Sequence, residues 1–109
     1  MDSRSITCYV RAYIKEYGIT AHIWIYPLLT KTECEVFELL LKGYTITQIS
    51  KSRFRSIKTV SLQKNQIYRK LGIRNDTTFW LDLSLSSCVK MRIIHQDDLI
   101  KDSLLFQHE

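Results

Sequence analysis

LTKTECEVFELLLKGYTITQISKSRFRSIKTVSLQKNQIYRKLGIRN, residues 29–75, holds three short helical patterns in succession, each with its own start signal. Thr30 followed three residues later by Glu33 is a capping box, which satisfies otherwise unpaired backbone donors at a helix start. Val36, Phe37, Leu40 and Leu41 then form an apolar stripe, and Gly43 supplies the stop. Thr45 with Gln48 makes a second box at once. The helix it opens is about two turns long, with Ile46 and Ile49 facing inward. Lys51 to Arg55 forms a polar, basic turn, Ser56 is the N-cap of a third helix that runs to about Leu71, and Gly72 ends it.

Charge singles out that third segment. From Lys51 to Arg74 there are eight Lys or Arg residues and no Asp or Glu. The chain of 109 residues has a net charge of +5, of which residues 1–30 contribute +1, residues 31–74 contribute +7 and residues 75–109 contribute −3. A spread-out excess of this size would read as a solvated surface, but one confined to an acid-free run points to a polyanion. A trihelical unit whose last helix concentrates positive charge is the footprint of a helix-turn-helix that docks on DNA. On that helix Val60, Ile67 and Leu71 share one face and belong to the core. Lys58, Ser61, Leu62, Asn65 and Arg69 fall on the outer face. Amide and hydroxyl groups suit base edges, and an exposed Leu suits a thymine methyl.

The flanks are less eloquent. Ile6, Tyr9, Val10, Tyr13, Ile14 and Tyr17 recur at three- and four-residue spacing, which predicts an amphipathic N-terminal helix closed by Gly18. Ile19 to Tyr26, rich in β-branched and aromatic residues, reads as an extended connector broken by Pro27. Beyond Asn75, Asp76 or Thr77 caps a fourth helix carrying Phe79, Trp80, Leu81, Leu83 and Leu85, which either closes the core or forms an interface. Residues 88–109 read as a tail, made acidic by Asp97, Asp98 and Asp102.

Other functions find little support. Cys8, Cys34 and Cys88 are odd in number and lack Cys-x-x-Cys spacing, so neither a zinc site nor a disulfide framework is expected, no metal is expected, and a reducing cytoplasm fits. Cys34 reads as a small apolar residue of its helix. His22, His95 and His108 are scattered, and no nucleophile motif, phosphate loop or metal spacing appears, so no enzyme, catalytic residue or cofactor is expected. The apolar stretch from Ile19 to Leu29 is too short and too interrupted for a membrane span, and no signal-peptide pattern opens the chain. RNA binding ranks below duplex DNA because no aromatic stacking platform lies within the basic run.

Leu29-Thr30 with Glu33, Glu35-Val36, Leu39-Leu40 and Gly43, Ile49, Lys58-Thr59-Val60, and finally Ile67-Tyr68-Arg69-Lys70-Leu71-Gly72 with Arg74-Asn75 carry a family signature in order and without insertion. The segment from about Leu29 to Leu85 resembles the LuxR/NarL-type helix-turn-helix of bacterial transcription regulators. Arg53 and Arg55 stand where that family usually has apolar residues, leaving Phe54 as the only large apolar group in the turn. Gln63 replaces a common His.

The resemblance implies a four-helix DNA-binding domain at 29–87; with the N-terminal helix and connector read at 1–28 and the short C-terminal tail at 88–109, the expected fold is all-α. It implies a sequence-specific regulator that lays helix 57–71 in the major groove. Ser61, Leu62 and Asn65 would then contact bases, and Lys58, Thr59, Lys64, Arg69 and Arg55 would contact phosphates. Phe79, Trp80 and Leu83 would lie at a dimer interface, since related domains pair through the fourth helix. The tyrosines of the N-terminal helix offer a second contact surface. The expected partners are double-stranded DNA, a second copy or a larger related regulator, and RNA polymerase. Many relatives carry a receiver or ligand-binding domain ahead of this unit, for which 28 residues leave no room, so input is expected through expression level or a protein partner. The alternative is an interaction protein that heterodimerises with a larger regulator of the family and modulates it.

Overall fold

The structure is a computed structural model that describes residues 8–26 and 29–95. Ile6, Pro27, His108 and the tail acids Asp97, Asp98 and Asp102 lie outside the described residues. In chain order the elements are β1 (Cys8–Ile14), a single 3₁₀ turn (Lys15–Tyr17), β2 (Ile19–Ile25), α1 (Lys31–Leu41), α2 (Ile46–Arg53), α3 (Ile57–Leu71), α4 (Phe79–Leu85) and β3 (Val89–His95).

The all-α expectation is therefore wrong: four helices are joined by a three-stranded antiparallel sheet in the order β1-β2-β3. The expected N-terminal helix is β1 with its 3₁₀ turn, the expected extended connector is β2, and the first part of the expected tail is β3. The physical reason lies in the pattern itself. Read with a period of two, Cys8, Val10, Ala12 and Ile14 share one face, while Tyr9, Arg11 and Tyr13 share the other. The first three of the inner set are 2% exposed or less. The helical stripe had merged residues from two opposite faces of a strand, because exposed tyrosines count as apolar in a periodicity count. Gly18 does adopt the left-handed conformation, at φ 60°, but it closes the 3₁₀ turn of a hairpin and not an α-helix.

Register places Cys8 opposite Ile25 and Ile25 opposite Val89, and likewise Val10, Ile23 and Met91 across the sheet. This face packs on α1 and α4, where Val36, Phe37, Leu41, Phe79 and Leu83 join it in one core with Ile67 and Leu71 of α3. Each fully buried aliphatic side chain contributes about 1.5–3 kcal/mol of transfer free energy. Truncating Ile67, which is completely buried, to alanine would cost about 2–5 kcal/mol.

The cysteines also depart from the expectation of no disulfide. Cys8 of β1 and Cys34 of α1 are disulfide-bonded, with Cα atoms 5.8 Å apart, and Cys88 is free and partly buried. The link joins two residues 26 apart in sequence that meet only because β1 packs on α1, so no local spacing could announce it.

Candidate nucleic-acid interface

The helix starts form as the sequence dictates. Glu33 N–H donates to Thr30 Oγ1 at 3.1 Å and Thr30 N–H to Glu33 Oε1 at 2.9 Å. The Thr45–Gln48 box closes in the same way, at 3.1 and 2.8 Å. At the start of α3, Thr59 N–H donates to Ser56 Oγ at 3.0 Å, and the Ser56 hydroxyl donates in turn to Thr59 Oγ1. The amides of Ile57 and Lys58 precede any intrahelical partner and are left for an outside acceptor, where the helix dipole also favours an anion.

The turn before α3 is built without an apolar plug. Phe54 adopts φ 56° and is 88% exposed. The turn is held instead by polar contacts: Arg55 N–H to Ser50 C=O at 3.1 Å, the Ser50 hydroxyl to Arg55 C=O, and an Arg53–Glu35 ion pair of 3.0 Å back to α1. These contacts answer the departure seen at Arg53, whose positive charge anchors the turn to α1 where an apolar contact would otherwise do so.

Ion pairs divide the eight cations of the basic run into two sets. Arg53 pairs with Glu35, Lys64 with Asp76, Lys70 with Glu33 and Arg74 with Asp82. Lys51, Arg55, Lys58 and Arg69 are exposed, and among the described residues they form no ion pair. The committed set braces the domain. Burial pushes the Glu33 carboxyl up, but hydrogen bonds from Lys70 and Thr30 outweigh it, so the group stays below its ordinary range. Asp82 accepts from the Arg74 guanidinium, the Arg74 amide and the Thr78 hydroxyl, which hold its pKa at about 2. Asp76 accepts from the Tyr68 hydroxyl at 2.6 Å and from Lys64, and its carboxyl is likewise held low.

Lys58, Leu62, Asn65 and Arg69 are exposed along one side of α3, with Leu62 55% open to solvent, and Ser61 is half-buried beside them. Thr59 is half-buried with its amide committed to Ser56. Lys64, bound to Asp76 and lying against the Tyr68 ring, is not on the open stripe. Arg55 is exposed just ahead of the helix. On α4, Phe79 and Leu83 sit in the chain's core and Trp80 is half-buried. The exposed apolar residues of α4 are Leu81 and Leu85, at 56% and 73%. Trp80 and the tyrosines Tyr13 and Tyr17 line one groove together with Leu40, Tyr44 and Tyr68, so two surfaces that seemed separate in sequence are one in space.

Two exposed residues escaped the sequence reading. Lys51 is exposed and forms no ion pair among the described residues, and Gln66 stands exposed beside Asn65. Helical periodicity could have found Gln66, which lies four positions after Leu62. Among the described residues no cluster of His, Cys, Asp or Glu could hold a metal, and no helix is long and apolar enough to cross a membrane.

Comparison with known proteins converges on this same segment. Residues 27–80 match the family described as bacterial regulatory proteins, luxR family. Over 77 residues the chain is 40% identical to the cyclic di-GMP phosphodiesterase PdeL of Escherichia coli K12, covering 71% of this chain and 21% of that protein. Over 79 residues it is 42% identical to the uncharacterized HTH-type transcriptional regulator YuaB of the same strain, covering 72% and 22%. A 48-residue stretch is 46% identical to the transcriptional regulatory protein RcsB, covering 44% and 22%. The match thus spans about a fifth of each relative. No solved structure gives a significant match to the chain.

Proposed function

Because this chain belongs, through residues 27–80, to the luxR family of bacterial regulatory proteins, a family of DNA-binding transcription regulators, we propose that it binds double-stranded DNA sequence-specifically with α3 in the major groove. The observation that carries the reading is the open stripe Lys58–Leu62–Asn65–Arg69, exposed and, among the described residues, without an ion pair, while the neighbouring cations are used inside the fold. Asn65, Leu62 and Ser61 contact base edges, with Gln66 in reach of the same groove. Lys58, Arg69, Arg55 and Lys51 hold phosphates, and the Ile57 and Lys58 amides add the helix-start contribution. Lys64 and Thr59 leave the phosphate set, since their polar groups are engaged at home. The role is binding without catalysis, with residues 29–87 as the DNA-binding unit and RNA polymerase as a downstream partner; a place in the cytoplasm now rests on the chromosomal DNA partner alone, since the Cys8–Cys34 link removes the cysteine argument for it.

A single module of this size reads few base pairs, so a second protomer on a neighbouring half-site completes the specificity. The partner is a second copy or a related regulator, and modulation of that regulator by pairing is compatible with DNA contact. Support comes from Leu81 and Leu85, exposed on α4 beside half-buried Trp80. With Phe79 and Leu83 spent on the core, the seam moves to Trp80, Leu81 and Leu85.

Selected genomic sites and random duplexes test the readout. Asn65→Ala is expected to cost about 1–3 kcal/mol on the preferred site and little on random DNA, whereas Lys58→Ala weakens both alike. Equal losses for Asn65→Ala on the two DNAs would show that α3 does not read bases.

A further inference from the structure

The strands carry a second basic surface that the helix-turn-helix does not use. CYVRAYI, ITAHIWI and VKMRIIH contain no Asp or Glu. On the face turned away from α1 and α4, register aligns two rows. One row is Tyr9, Trp24 and Lys90, and the next is Arg11, His22 and Arg92. Tyr9, Arg11, Lys90 and Arg92 are exposed, and among the described residues the three cations form no ion pair. The rings form one cluster. Tyr9 lies 5.3 Å from Trp24 and 6.2 Å from His22, which is 6.1 Å from Trp24, and their planes are within 36° of parallel. The Tyr9 hydroxyl and His22 Nδ1, 2.8 Å apart, tie two of the rings together.

We infer that this sheet face binds single-stranded nucleic acid, its bases stacking on Tyr9, His22 and Trp24 and its phosphates held by Arg11, Lys90 and Arg92. Three features select that occupant. Cations with no carboxylate among them suit a polyanion. A second copy docking face to face would bring Arg11 and Arg92 against their own equivalents with no countercharge. Rings interleaved with the cations gain nothing from a duplex, whose bases are already stacked, and gain directly from unpaired bases. Neighbouring strands are ~4.8 Å apart, so three strands offer room for about two or three bases. The inference stands independently of the α3 reading, since no residue is shared.

The test uses the full chain and a labelled twelve-nucleotide oligo(dT), followed by fluorescence anisotropy. Trp24 emission is read separately in a Trp80→Phe background. The wild type is expected to bind with quenching of Trp24. Tyr9→Leu is expected to weaken binding by roughly 5-fold or more, as loss of one stacked base implies. Arg11→Gln with Arg92→Gln, both at exposed positions, is expected to weaken it and to flatten its salt dependence. Duplex affinity stays unchanged in the Tyr9→Leu and Arg11→Gln/Arg92→Gln variants made in the wild-type chain, and Asn65→Ala leaves oligo(dT) binding intact. Absence of oligo(dT) binding would overturn the inference. So would folded sheet variants that bind like wild type, or displacement by base-free polyphosphate as effective as by oligo(dT).

Discussion

Neutralising the cations of the basic run from Lys51 to Arg74 one at a time should reveal how many of them face DNA, because counterion release counts phosphate contacts directly. Each neutralised phosphate contributes a slope of about −0.9 to log affinity against log salt. If all eight cations between Lys51 and Arg74 engaged DNA, the slope per protomer would be near −7, and affinity would fall about 20,000-fold between 50 and 200 mM salt. The structure commits Arg53, Lys64, Lys70 and Arg74 to Glu35, Asp76, Glu33 and Asp82. Lys51, Arg55, Lys58 and Arg69 remain, giving a slope of about −3.6 and a loss of roughly 150-fold over the same range. Lys58→Ala should reduce the slope to about −2.7, and Arg69→Ala should match it, whereas Arg74→Ala should leave it unchanged. Anisotropy titrations of a labelled half-site duplex at four or more salt concentrations measure all of these. A wild-type slope near −7, or one that Lys58→Ala does not move, would refute the division into free and committed cations.

Three further outcomes are expected. Reducing the Cys8–Cys34 link, which separates residues 26 apart, should lower unfolding stability by ~3.5 kcal/mol in the chain-entropy account; denaturant midpoints with and without reductant measure it, and identical midpoints for disulfide-bonded and reduced protein would count against the link as a stabiliser. Asp82 has a folded pKa held at about 2, below its unfolded value, so its contribution is present above pH ~4 and lost as pH falls toward ~2. Asp82→Asn should therefore flatten the fall of the thermal midpoint across that window, and Glu33 and Asp76, also held low, act in the same direction. At the seam, Leu81→Glu should give a folded monomer in sedimentation, while Leu83→Glu, in the core, should unfold; a wild type that stays monomeric even on DNA would remove the dimer.

Local signals decided most of the helix-turn-helix. The boxes at Thr30 and Thr45, the Ser56 cap and the Gly72 stop act within a few residues, so the sequence alone determined where α1, α2 and α3 begin and where α3 ends. The outer stripe of α3 was legible for the same reason, since helical geometry fixes which side chains share a face once the start is known. The sheet was not. Tyr9, Val10, Tyr13 and Ile14 satisfy a helical spacing, and only pairing with β2 and β3 shows that Tyr9 and Val10 belong to opposite faces. In β3, Val89 and Met91 alternating with Lys90 and Arg92 carried a period-two signal, but a short alternation gains meaning only when a partner strand accepts its hydrogen bonds. Long-range proximity likewise decided that Cys8 meets Cys34 and that Leu83 turns inward while Leu81 turns out. It also decided which cations of the basic run remain free. Charge is a property of composition, but its availability depends on whether a carboxylate from another helix or loop lies within ~4 Å, and only the tertiary structure brings those carboxylates near.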